Sequence, residues 1–200
     1  MRLPVGLSPW AVLQKKEEFS CAYFAVRSDT VRFGNRPPRT YNSVRMKTVG
    51  VTVAPIGDDG CITLIGQYRF VLDRFTWELP SGGCGPGRTL EEAAKSELSE
   101  ETGYRASQWL RLLGGSESPG SIDGWNECFV AWGLQSGTPH PEPEEQLTQI
   151  NIPFAESVSL VLSGDISHLG SIGSILALQT KLARDELPEE LAMLLKKSRA

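Results

Sequence analysis

The 200-residue sequence has no apolar run approaching the roughly 18 residues of a membrane-spanning helix, so a protein that crosses a bilayer with helices is excluded. Its four cysteines, Cys21, Cys61, Cys84 and Cys128, are scattered and form no C-x-x-C pair, which argues against a zinc site and fits a reduced, cytoplasmic chain. Only two histidines occur, His140 and His168, and neither has the spacing of a metal ligand pair or a catalytic triad. Internal repeats, low-complexity tracts and basic runs are all missing. Lys and Arg total 20 against 24 Asp and Glu, a net charge of −4, so the basic surplus of a nucleic-acid binder is lacking. The apolar stretch 3–13 is broken by Pro4, Gly6 and Pro9. It runs into Lys15-Lys16-Glu17-Glu18 without a small-residue cleavage site, and reads as mature chain and not as a secretory signal.

What is present is globular: 40% apolar and 22% charged residues, enough for one domain or one domain with an appendage. Residues 1–47 read as a β-rich N-terminal extension. Strands are predicted over 20–27 and 30–33 around a Ser28-Asp29 turn, followed by a proline-pair turn at 35–39. The pattern changes at residue 48, and 48–200 reads as the main domain. Two β-rich runs, 48–56 and 61–68, flank Gly57-Asp58-Asp59-Gly60 and predict a hairpin. A glycine-rich loop at 81–87 precedes a helix at 90–102. That helix is opened by the Thr89/Glu92 capping box and closed by Gly103 in a left-handed position. Strands follow at 109–113 and 127–134, with a Gly/Ser-rich loop at 114–124 between them. An acidic, proline-bearing loop occupies 140–145. Helices are predicted over 154–163 and 172–182, with a charged helical tail over 185–200. Strands and helices mix without a regular βαβ repeat, which favours an α/β or α+β sandwich.

The segment that carries chemistry is 79–104. Glu97, Glu100 and Glu101 stand at i, i+3 and i+4, so a helix projects all three from one side. Like charges at that spacing repel, and a multivalent cation relieves the repulsion. Hard carboxylate oxygens suit Mg²⁺ or Mn²⁺. The preceding glycines let the backbone approach an ion or a phosphate closely.

This segment resembles the signature of the Nudix hydrolase family, G-x5-E-x7-R-E-U-x-E-E-x-G-U. Gly82, Glu97, Leu98, Glu100, Glu101 and Gly103 match in one ungapped register, with Tyr104 at the last apolar position. Gln67-Tyr68-Arg69, Trp77-Glu78-Leu79-Pro80, Ser118-Pro119-Gly120 and Gly164-Asp165-Ile166 follow the order of the family's ADP-ribose pyrophosphatase branch. The likeness spans residues 45–182 and implies a Nudix α/β/α sandwich with a mixed β-sheet. Two positions depart. Arg88 stands where the family has its first Glu, and Ser96 where it has Arg. Either the loop is held differently, with Arg88 pairing with Glu91 or Glu92, or the site is relaxing toward low activity. The retained glutamates favour hydrolysis.

The resemblance implies hydrolysis of the pyrophosphate bond of a nucleoside diphosphate linked to another group. ADP-ribose, yielding AMP and ribose 5-phosphate, is the leading small-molecule substrate. It implies Glu97 and Glu101 as Mg²⁺ ligands (Mn²⁺ as an alternative), Glu100 as a direct or water-mediated ligand, and the Ser81 carbonyl as a further one. A general base is implied on the acidic loop, at Glu142, Glu144 or Glu145. Arg69 is implied at a phosphate, and Glu78 at the adenine or a ribose hydroxyl. The N-terminal extension is implied to exchange between protomers of a homodimer. The alternatives are another nucleotide sugar such as GDP-mannose, a dinucleotide polyphosphate, or a non-catalytic nucleotide-binding module. Trp77, Trp125 and Trp132 read as core residues, and Cys84 as an unreactive small one.

Overall fold

The computed structural model describes residues 3, 5–141, 143 and 145–197. The chain divides into two compact units, one of residues 1–48 and 116–124, the other of residues 49–115 and 125–200.

The first unit is an antiparallel sheet of β1 (Trp10–Gln14), β2 (Glu17–Ser20), β3 (Phe24–Phe33) and β4 (Arg39–Met46). All three other strands pair with β3. The Ser28-Asp29 turn expected from the sequence is absent, and β3 runs straight through it. Both polar side chains are satisfied within the sheet. The Ser28 hydroxyl donates to Asn42 Oδ1 at 2.7 Å, and Asp29 accepts from the Lys16 backbone N–H and the Arg27 guanidinium. The chain turns at Gly34, where φ is +54°, and the proline pair precedes β4.

The second unit contains β5 (Val49–Pro55), β6 (Cys61–Arg69), a short 3-10 turn (Phe70–Leu72), β7 (Arg74–Glu78), β8 (Ser81–Cys84) and α1 (Leu90–Thr102). It continues with β9 (Arg105–Gly115), β10 (Asn126–Gln135), β11 (Thr148–Pro153), α2 (Phe154–Ser163), α3 (Leu169–Ala183) and α4 (Glu189–Lys197). One sheet has the order β8-β5-β10-β9, mixed because β5 and β10 run parallel. The other, β11-β6-β7, is antiparallel. The pleat of β5 explains the layering. Val51 and Val53 pack with Ala93, Ala94 and Leu98 of α1, while Ala54 packs with Ile175 and Leu178 of α3. The mixed sheet therefore lies between two helices, an α/β/α sandwich. Each fully buried Leu or Ile contributes about 1.5–3 kcal/mol.

The predicted 48–56/61–68 hairpin is corrected. Both strands form, but β5 pairs with β8 and β10, and β6 with β7 and β11. An isolated bridge, Ile56 to Ile62, is the pairing recorded across the turn. The loop predicted from residue 114 begins later, because β9 continues through Gly115. A Cβ on Gly114 would stand 2.5 Å from the buried Glu127 carboxylate, so glycine lets the two strands close over that group.

Candidate active site

Helix α1 is set by local chemistry. The Thr89 hydroxyl accepts from the Glu92 N–H at 3.2 Å, and the Glu92 carboxylate accepts from the Thr89 N–H at 2.8 Å. At the other end Gly103, with φ +72°, donates its N–H to the Ser99 carbonyl. Between these caps the helix turns Ala93, Ala94 and Leu98 into the core, which leaves Glu97 and Glu101 one turn apart beside β8.

Strand β8 supplies the floor. The Ser81 N–H donates to Glu101 Oε2 at 3.1 Å. A Cβ on Gly82 would lie 2.2 Å from the Glu97 carboxylate, so only glycine admits that group where it stands. Glu101 is 5% exposed. Burial pushes its carboxyl up to about 8; the Ser81 N–H opposes this, the charges of Glu145 and Glu97 add to it, and Arg69 counters it. Glu145 of the acidic loop also bears electrostatically on Arg69. The structure thus brings Ser81, Glu97, Glu101, Glu145 and Arg69 into one neighbourhood. Glu100 is exposed and accepts from the Ser96 hydroxyl at 2.7 Å. Glu142 and Glu144 lie outside the described residues.

The acidic loop is tied to the same helix. The His140 N–H donates to the Glu100 carbonyl at 2.8 Å, and a Cβ on Gly103 would meet the Gly137 carbonyl oxygen at 2.6 Å.

Arg69 and Glu78, singled out separately in the sequence, hold each other. The guanidinium donates through Nε at 2.9 Å and Nη2 at 2.7 Å. Arg69 faces Arg74 at the turn that joins β6 to β7, and Glu78 faces Ile65 at the other end of the pair, so the guanidinium reaches back along the strands past Gln67 and Thr76. Burial raises the Glu78 carboxyl, but the Arg69 fork and the Thr76 hydroxyl outweigh it and leave the group below its ordinary value. His168 Nδ1 stands 3.7 Å from Glu78 Oε2 and 2.9 Å from the Ser171 hydroxyl, which accepts from the Leu79 N–H. Sequence reading gave His168 no part here. Its position just before α3 is the local signal, and its approach to Glu78 depends on packing across ninety residues.

The two positions that depart from the signature make local contacts on α1. Arg88 donates to the Glu92 backbone carbonyl at 3.2 Å, not to either carboxylate: Glu92 is engaged in the cap and Glu91 pairs with Lys95. Ser96 fixes Glu100. Trp77 and Trp132 pack in the core, but Trp125 is 45% exposed, and its indole N–H donates to Glu127. The buried Cys84 thiol lies against the Arg88 and Thr89 carbonyls.

The residues fit a divalent cation. Two carboxylates one helical turn apart, one of them buried and repelled by its neighbours, offer hard oxygen donors whose charges a cation would neutralise. Among the described residues no group of three or more His, Cys, Asp or Glu side chains is already gathered as a metal cluster.

Comparison with known proteins bears on the family and the fold. The profile of the NUDIX domain matches residues 46–161. The chain is similar to an ADP-ribose pyrophosphatase of Mycobacterium tuberculosis, 34% identical over 78% of this chain and 76% of that one. It is similar to the ADP compounds hydrolase NudE of Escherichia coli, 28% identical over 76% of this chain and 82% of that one. An ADP-ribose pyrophosphatase of Bacillus subtilis is 30% identical over 66% of this chain and 73% of its own length. The fold superposes on a crystal structure of an ADP compounds hydrolase with a TM-score of 0.81, covering 92% of this chain and all of that one at 23% identity.

Proposed function

The chain belongs to the Nudix hydrolase family, and from that membership we propose that it cleaves the pyrophosphate bond of ADP-ribose to AMP and ribose 5-phosphate with Mg²⁺ or Mn²⁺. The observation that carries this reading is the placement of Glu97 and Glu101 against the backbone of Ser81 and Gly82. Glu97 and Glu101 would hold the cation with the Ser81 carbonyl, and Glu100 would join them directly or through water. When bound, the ion neutralises the diphosphate oxygens and makes water a better nucleophile near neutral pH. The Ser81 N–H orients the Glu101 carboxylate, and the capped helix keeps it one turn from Glu97. Glu145, or Glu142 or Glu144 beside it on the same loop, accepts the proton of the attacking water. Arg69 offers its N–H fork to phosphate oxygens, which are bidentate acceptors like the Glu78 carboxylate it now holds. Glu78, fixed by Thr76 and close to His168, is then able to accept from a ribose hydroxyl or the adenine amine.

Residues 1–47 form, in this proposal, the dimerisation extension. Leu3, Val5, Leu7, Val12, Leu13, Phe19 and Tyr23 are all exposed within it, more apolar surface than a short segment normally leaves in water. The four cysteines are free thiols, in keeping with a reducing compartment, and among the described residues no helix is long and apolar enough to cross a membrane.

The test is a substrate panel with Mg²⁺: ADP-ribose, GDP-mannose and a dinucleotide polyphosphate, with nucleoside monophosphate release followed by chromatography. ADP-ribose is expected to have the highest kcat/KM. A higher value for another member would reassign the substrate. Binding without release from any member would identify a non-catalytic module.

A further inference from the structure

Within the first unit, Trp10 of β1, Phe33 of β3 and Arg39 of β4, with Arg36 and Pro37 from the β3–β4 connection, line a cavity of about 440 Å³. Sites for small ligands occupy about 300–1,000 Å³. Strand register builds it. Trp10 faces Phe33 across β1 and β3, and the rings meet edge to face at 4.9 Å. The Arg39 guanidinium carbon lies 5.1 Å from the Trp10 ring centre and 5.7 Å from that of Tyr41, while Arg36 lies 5.5 Å from that of Phe33.

A stacked guanidinium uses its flat face on the ring and keeps its N–H donors in plane, directed outward. Among the described residues neither Arg36 nor Arg39 has a carboxylate partner or a side-chain hydrogen bond. Segment 30–41 contains Arg32, Arg36 and Arg39 and no acidic residue. The unit as a whole carries nine basic against five acidic residues in a chain whose net charge is −4. Two free donor forks therefore border rings that are each 38% exposed. A purely apolar ligand would leave the forks without acceptors, and a bare anion would leave the rings in water. A ligand with an anionic head and a planar body satisfies both.

We propose that this cavity is a binding site for a phosphate monoester carried on a planar body, a mononucleotide. The guanidinium edges take the phosphate oxygens, and Trp10, Phe33 and Pro37 cover the base and sugar. None of the five lining residues is among those assigned to hydrolysis.

The test is calorimetric titration of the full chain in EDTA with AMP, adenosine, inorganic phosphate and a short single-stranded RNA. It is done on the wild type, Glu101→Gln, Arg36→Gln/Arg39→Gln and Arg36→Lys/Arg39→Lys, with thermal midpoints as the check on folding. AMP is expected to bind without metal, equally in wild type and Glu101→Gln. The Gln pair should weaken it at least about tenfold, and the Lys pair less, since Lys keeps the charge but loses the fork. Adenosine and phosphate should each bind at least about tenfold more weakly than AMP, because each satisfies half of the site. The proposal is overturned by AMP affinity unchanged in the Gln pair, by loss of binding in Glu101→Gln, or by no metal-free binding. Adenosine or phosphate as tight as AMP, or RNA tighter than AMP, would overturn it as well.

Discussion

Gly82 decides where the Glu97 carboxylate can go. Its missing Cβ would sit 2.2 Å from that group, and the obstructed atoms are the free end of a flexible side chain. Gly82→Ala should therefore leave stability within about 1 kcal/mol of wild type while moving Glu97 off the floor of the site. We expect kcat/KM to fall at least tenfold with little change in thermal midpoint; equal losses in both would show that the glycine serves the fold instead. Glu78 poses the opposite case. Its carboxyl is lowered in the folded protein by Arg69 and Thr76 against the pull of burial. The stability it adds is fully present above its unfolded value near 4.5, and is lost as pH falls through the lower folded value. Glu78→Gln should cost about 1–3 kcal/mol at pH 7, discounted because the Arg69 side chain is 37% exposed. Its deficit against wild type should shrink below pH 4.5, which denaturant melts across pH 3–7 would read out.

At the scale of elements, what could be read from sequence tracks how local the cause is. Helix α1 starts and stops where Thr89, Glu92 and Gly103 say, because the cap bonds lie within three residues of the ends. Helix α2 likewise follows its periodicity after Pro153. The pairing of β5 and β6 was not readable, since β5 finds its partners in β8 and β10 and the short turn between the runs does not decide this. Strand β11 was missed: its signal is only the alternation of Ile150 and Ile152, the two residues that pack on the core. The Ser28-Asp29 turn failed because two polar residues found partners inside the sheet. Within the site, the glutamates of α1 were legible from their spacing and the family signature. The Arg69–Glu78–His168 grouping was not, because β6, β7 and the start of α3 meet only on folding. The joint between α1 and the acidic loop is testable at this scale. Gly103→Ala puts a side chain on a residue at φ +72° and drives it into the Gly137 carbonyl at 2.6 Å. A loss of about 1–3 kcal/mol in denaturant melts is expected, with a fall in kcat because the loop bearing Glu145 loses its seat.

On the scale of the whole molecule, the two units differ in what they leave to solvent. Residues 49–115 and 125–200 build a sandwich with a packed apolar cluster on each face of the mixed sheet, while the sheet of the first unit keeps many large apolar side chains exposed. Sedimentation equilibrium should return twice the 21.9 kDa chain mass, and a mass equal to one chain would contradict the dimer. The central claim is that α1 and β8 hold a hydrolytic cation site, and it rests most heavily on Glu101. The direct measurement is AMP release from ADP-ribose with Mg²⁺, comparing wild type with Glu101→Gln. Turnover in the wild type that drops about a hundredfold in the variant, about 3 kcal/mol of transition-state stabilisation, is the predicted result. Turnover in the variant equal to that of wild type would contradict the account.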